Sequence, residues 1–198
     1  MIGLVATLVG LAMVFTGERT QRASLRYVGK PLASAGFLIA AARAQPHGAF
    51  ATWLVAGLVL GAIGDVALLF ERAFVVGLGA FLLGHLAYAV AVAQVVSPAG
   101  WASPLALVPI AAALGALAWL WPHLGAMRVP VIAYVVAIVV MVIAAIALGQ
   151  PRFVAGAALF FASDLAVARD KFVAPGFANR AWGLPAYYAG QLLIAWSI

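Results

Sequence analysis

Two of the chain's five acidic residues stand where a carboxylate is least at home. Asp164 lies inside the apolar run Gly156–Phe172, and Asp65 inside the run Leu60–Arg72. An ionisable group placed in hydrocarbon is expensive, so its default reading is a functional site turned toward the protein interior. Burial disfavours the charged form of a carboxyl, and a neighbouring carboxylate disfavours it further. Two such acids brought together are expected to divide the work, one neutral and able to give a proton, the other ionised. Acid-catalysed cleavage uses that arrangement. The structural alternative is that each aspartate ties helices together through hydrogen bonds.

Other side chains could complete such a site. His85, in Gly84-His85-Leu-Ala-Tyr88, could act as a third acid or base, or sit in the core as a hydrogen-bonded histidine. A metal site is poorly supported, because no second histidine lies nearby in sequence. Lys30 could meet a lipid phosphate as a point charge, or snorkel to the interface as an anchor. Tyr134, Tyr187 and Tyr188 lie inside apolar segments and could line a pocket. Gln191 follows Tyr187 by one helical turn on the same face. Pro185 precedes the tyrosine pair and loosens the helix ladder there. Ser163 stands beside Asp164 but has no histidine-type base next to it in sequence, which argues against a serine nucleophile. His47 and His123 fall in loops and have no assigned role.

The elements that position these residues follow from composition. Charged residues make up 8% of the chain, against roughly 25% in a soluble domain. The chain therefore reads as a single all-α, integral-membrane domain over residues 1–198. There is no cysteine, which excludes disulfides, thiol nucleophiles and thiolate metal sites. The net charge of +6 does not point to nucleic acid, because the basic residues flank apolar segments. A spanning helix needs about 20 apolar residues. On that basis eight transmembrane spans are expected, at about 1–17, 28–44, 49–70, 73–96, 104–121, 129–149, 152–169 and 181–198. Met1–Thr16 lacks a basic leader and reads as the first span rather than a signal peptide.

Loop charge sets the expected orientation. The odd-numbered connections carry Arg19, Arg22, Arg26, Arg72, Arg128, Arg169, Lys171 and Arg180, and the other side only Arg43 and Arg152. The bias places the odd connections in the cytoplasm and both termini outside, as in a multi-pass cell (inner) membrane protein. Most of the polar residues then fall within roughly 15 Å of the cytoplasmic surface at 1.5 Å per residue, as a shared polar cavity requires. A shift of 99 residues superposes Pro31 on Pro130, Gly57 on Gly156, Asp65 on Asp164 and Glu71-Arg72 on Asp170-Lys171. Two parallel four-helix repeats, 1–99 and 100–198, with the aspartates facing across the axis, are therefore expected.

The ordered set Tyr27-Val-Gly-Lys30-Pro31-Leu, Gly64-Asp65, Gly84-His85 with Tyr88, Pro130 with Tyr134, Phe160-Phe-Ala-Ser163-Asp164-Leu-Ala and Tyr187-Tyr188-Ala-Gly-Gln191 resembles the YhhN family, which includes the lysoplasmalogenases. The resemblance runs through nearly the whole chain. It implies about eight spans, a lysophospholipid substrate among the membrane lipids, no cofactor, and hydrolysis of a vinyl ether. The products are a fatty aldehyde and a glycerophospho-ethanolamine or -choline. Protonation of the vinyl carbon gives an oxocarbenium ion that water attacks, which parallels two-carboxylate glycoside cleavage. Asp164, flanked by Phe160, Phe161 and Leu165, has the drier surroundings and is the expected acid. Two other classes fit parts of the pattern. A small proton-coupled transporter would use the buried ionisable groups. An intramembrane aspartyl hydrolase would use two aspartates, but Ala62-Ile63-Gly64-Asp65 lacks that group's extra glycine.

Overall fold

The computed structural model describes residues 1–198 and contains eight long helices and no strand. They are α1 (Ile2–Arg19), α2 (Ala23–Arg43), α3 (Gly48–Ala67), α4 (Phe74–Ala93), α5 (Leu107–Leu120), α6 (Arg128–Leu148), α7 (Pro151–Ala168) and α8 (Phe177–Ala195). Two 3₁₀ segments precede α5 and two follow it, another, Glu71–Ala73, precedes α4, and one π-helical turn, Arg169–Val173, follows α7. Gly149 closes α6 in the left-handed conformation, φ 68°, with its N–H donating to the Ala145 carbonyl. Pro151 then opens α7 at the first helical position, where its missing N–H costs nothing.

The distribution of side chains is the reverse of a soluble bundle. Leu4, Val5 and Leu8 on α1, and Leu107, Val108 and Leu114 on α5, are exposed. Asp65, His85, Ser163 and Gln191 are buried. Six helical stretches are long and apolar enough to cross a membrane. The two left out are α2 and α8, which carry Arg26 and Lys30, and Asn179, Arg180 and Gln191. The helices least apolar are thus the ones that bring polar groups inward.

Without a hydrophobic force between helices in lipid, close packing rests on small residues. Consecutive helices pair as α1 with α2, α3 with α4 and α7 with α8. Gly3, Gly10 and Gly17 form a stripe on α1 that meets Gly29 and Gly36 of α2 with backbones in contact. Thr7 on the same stripe donates to the Ala33 carbonyl at 3.1 Å. At the α7–α8 crossing, a methyl on Gly156 would meet the Gly190 carbonyl and the Ile194 side chain. Gly156→Leu is therefore expected to cost about 1–3 kcal/mol through overpacking, read as a lowered melting temperature in detergent.

Candidate functional site

All five acidic residues of the chain, Glu18, Asp65, Glu71, Asp164 and Asp170, line one cavity of about 910 Å³. Arg26, Lys30, Arg72, Lys171 and Arg180 line it too, with Phe81, Tyr134 and Tyr187 among its apolar walls. The cavity opens at the end of the bundle where the odd-numbered connections lie. It gathers ten of the chain's sixteen charged residues into one place, where they need not face lipid.

Asp65 sits in the last turn of α3 and is buried. Lys30 and Ser34 are one turn apart on α2, so they present the same face. Ser34 Oγ donates to Asp65 Oδ2 at 2.6 Å, and Lys30 Nζ lies 3.5 Å from Oδ1. The Lys30 ammonium also reaches the Asp65 backbone carbonyl at 3.4 Å. Gln191 donates to the Tyr187 hydroxyl at 3.1 Å and accepts from the Tyr88 hydroxyl at 2.7 Å. Tyr187 and Asp65 line the same cavity. The Tyr188 hydroxyl is buried and closes no hydrogen bond. A methyl on Gly61 would strike the Gln191 amide, so that glycine makes room for the chain of donors.

Asp164, on α7, has a different environment. Tyr134 donates to its Oδ2 at 2.8 Å, and His85 Nε2 lies 3.8 Å from the same oxygen. No lysine or arginine comes within 4.0 Å. Asp164 was expected to have the drier surroundings, but its side chain is 19% exposed against 3% for Asp65, because Asp65 is enclosed by α2 while Asp164 opens on the cavity. His85 is fully enclosed, wedged edge-on against Tyr134 and Phe160, and neither ring nitrogen is hydrogen-bonded. The two carboxyl groups share the cavity but no hydrogen bond.

Of the residues expected from sequence, Lys30, Asp65, Tyr134, Ser163, Asp164 and Tyr187 reach the cavity wall. His85, Tyr188 and Gln191 stand directly behind it. Ser163 lines the cavity while its hydroxyl donates to the Phe160 carbonyl at 2.7 Å, within its own helix. Histidine, aspartate and glutamate side chains nowhere gather in threes of the kind that hold a metal.

Three features were not anticipated. Ser34 clamps Asp65, and its only signal is its one-turn spacing from Lys30. Tyr88 anchors Gln191 from α4. At the cavity mouth, Glu18 pairs with Arg26 at 3.2 Å and with Arg180 at 2.5 Å, and Arg180 pairs with Asp170 at 3.2 Å. That strap joins the ends of α1, α2 and α8 to the turn after α7, and no local pattern encodes it.

The fold and site define a helical membrane protein with an acid-bearing cavity enclosed among its spans. The YhhN family model matches residues 25–198. The chain belongs to the YhhN family. It is 35% identical to a lysoplasmalogenase of Mycobacterium bovis, over 97% of this chain and 77% of that protein. It is 37% identical to Lysoplasmalogenase TMEM86A of Bos taurus, over 74% of this chain and 65% of that one. It is 31% identical to the membrane protein YhhN of Escherichia coli, over 87% and 86% of the two chains. No solved structure matches the chain.

Proposed function

We propose that this chain is an integral-membrane hydrolase that cleaves the vinyl-ether bond of lysoplasmalogens. One observation carries the reading. Two acids with unlike partners, Asp65 buried and Asp164 half-buried, open on the same cavity, in a chain 35% identical over most of its length to a lysoplasmalogenase.

The partners suggest how the labour divides. Asp65 faces an ammonium and a hydroxyl donor, which suits the ionised carboxylate. Asp164 has no lysine or arginine to balance a charge, and the Tyr134 proton occupies one oxygen, which leaves the other to carry the proton to be transferred. The Asp164 O–H bond breaks as its proton joins the vinyl carbon β to the ether oxygen. The resulting oxocarbenium ion takes water at the carbon bonded to oxygen, and the water proton passes to a cavity carboxylate. A cavity carboxyl then gives a proton to the glycerol oxygen as the hemiacetal hydroxyl loses its own to Asp164; the bond from carbon to the glycerol oxygen breaks, leaving aldehyde and alcohol with Asp164 protonated again. Tyr134 holds Asp164, and Ser34 with Lys30 holds Asp65, while His85 and the Tyr88–Gln191 pair pack behind the wall. The greasy chain of the substrate lies among the apolar residues of the cavity.

The same reading takes all eight helices as spans of a cell (inner) membrane, with both termini outside and the cavity mouth toward the cytoplasm. The excess of basic residues at the mouth supports that orientation. The two-repeat reading is supported by a further coincidence. The 99-residue shift carries Tyr88 onto Tyr187, and these two tyrosines meet at the Gln191 side chain.

The test is release of fatty aldehyde from lysoplasmenylethanolamine by purified protein in detergent. Turnover is expected. Its absence, with the protein folded and monodisperse, would remove the proposal.

A further inference from the structure

The chain's cations differ in what already occupies them. Lys30 is held on Asp65, Arg26 on Glu18, and Arg180 on Glu18 and Asp170. Arg72 and Lys171 also line the cavity but take part in no ion pair. They come from two different turns, after α3 and after α7, and those turns are pinned together. The Phe74 and Phe172 rings meet edge to face at 6.2 Å, and Lys171 Nζ lies 4.5 Å from the centre of the Phe74 ring. Beside them stands Glu71, the one acid of the chain with neither an ion pair nor a hydrogen bond.

We propose that Arg72 and Lys171 bind the phosphodiester of the substrate headgroup, with Glu71 beside them receiving the headgroup's ammonium. This rests on the vinyl-ether reading and gives its site a polar end. Arg72 follows Asp65 by seven residues, and Lys171 follows Asp164 by seven. Asp164 to Lys171 runs from α7 into the π-helical turn, and seven helical residues span about 10 Å; α3 ends at Ala67, so Arg72 reaches the same cavity from the 3₁₀ turn Glu71–Ala73 rather than along the helix. A glycerol unit between vinyl ether and phosphate covers about 6 Å at bond lengths near 1.5 Å. A phosphate held at the mouth therefore sets the vinyl ether at the depth of the two carboxyl groups. The paired cations are poorer candidates, since taking a phosphate would strip Glu18, Asp65 or Asp170 of its partner. The recruited pair is a guanidinium and an ammonium, the two groups that proteins use most for phosphate.

The test compares three vinyl-ether substrates: lysoplasmenylethanolamine, the same alkenylglycerol phosphate without ethanolamine, and alkenylglycerol without phosphate. Loss of a charge-assisted contact costs roughly 10–100-fold in affinity. Arg72→Gln with Lys171→Gln is expected to raise KM for both phosphorylated substrates by that factor, with kcat little changed. The wild-type preference for phosphorylated over phosphate-free substrate should collapse in the same variant. Arg72→Lys should restore most of it. Glu71→Gln should shift preference from the ethanolamine substrate toward the bare phosphate. Glycerophosphoethanolamine and inorganic phosphate, added as competitors, should both inhibit the wild type more strongly than the double variant. If the wild type cleaves lysoplasmenylethanolamine and the double variant keeps its preference for phosphate, these two residues are orientation anchors and the inference fails alone. If the wild type cleaves none of the three, the parent reading fails with it.

Discussion

Asp164→Asn is expected to lower kcat for vinyl-ether cleavage by about 10²–10⁴-fold, the range assigned to general acid catalysis. The substitution is nearly isosteric. An asparagine carbonyl still accepts the Tyr134 hydroxyl that now reaches Asp164 Oδ2 at 2.8 Å. It also needs no counter-charge, and Asp164 has no lysine or arginine within ion-pair distance to leave stranded. Stability should hold or rise, because a costly ionisable group leaves the bundle interior. What disappears is the proton that carbon must receive, and no neighbouring group replaces it. The His85 ring is sealed behind the cavity wall, and the Tyr134 hydroxyl is committed to the same aspartate. Asp164→Glu tests geometry rather than chemistry and should retain more activity than the asparagine variant. The measurement is aldehyde release under single-turnover conditions, with melting temperature recorded in parallel. Turnover of the asparagine variant within tenfold of wild type would take Asp164 out of the chemistry.

What could be read without coordinates followed from what is costly in lipid. Long apolar runs forecast eight spans; eight long helices are present, six of them long and apolar enough to cross a membrane. The forecast erred at polar edges. The second span was expected from residue 28, but α2 begins at Ala23 and carries Arg26 within it. A helix continues through charges wherever they can face a cavity, and apolarity alone does not mark its end. The eighth span was expected from 181, whereas α8 starts at Phe177 for the same reason, with Asn179 and Arg180 turned to the mouth. Asp65 and Asp164 stood out because buried carboxyls are rare. Ser34 did not, because a hydroxyl is cheap in a helix and carries no local mark, and Tyr88 stood out only beside Gly84-His85, with no sign that it would meet Gln191. The Glu18–Arg180 pair joins residues 162 apart and arises only once the bundle closes. Nor did the sequence mark which donors each acid would meet. Each carboxyl has acquired its own donors from a neighbouring helix, Lys30 and Ser34 for one and Tyr134 for the other.

Those separate partners make the Lys30–Asp65 pair the second decisive place. Removing one member of a buried ion pair typically costs about 3–5 kcal/mol, because the other charge is left without compensation. The two single variants should not behave alike. Lys30→Met strands a carboxylate whose side chain is 3% exposed and fixed by Ser34 at 2.6 Å. It should lose most of that stability. Asp65→Asn strands an ammonium at the cavity wall, 13% exposed on a flexible stem, which can swing toward water. Its cost should be smaller. The double variant removes both charges and should recover much of the loss seen in Lys30→Met, as uncharged replacements of buried pairs often do. Melting temperatures in one detergent check all three. Activity then separates structure from chemistry. If the Asp65 carboxylate stabilises the oxocarbenium ion or takes the proton from water, both variants that lack it stay inactive, and the recovered stability of the double variant does not rescue turnover. If aldehyde release returns together with stability, Asp65 serves to hold α2 against α3, and Asp164 carries the reaction with water alone.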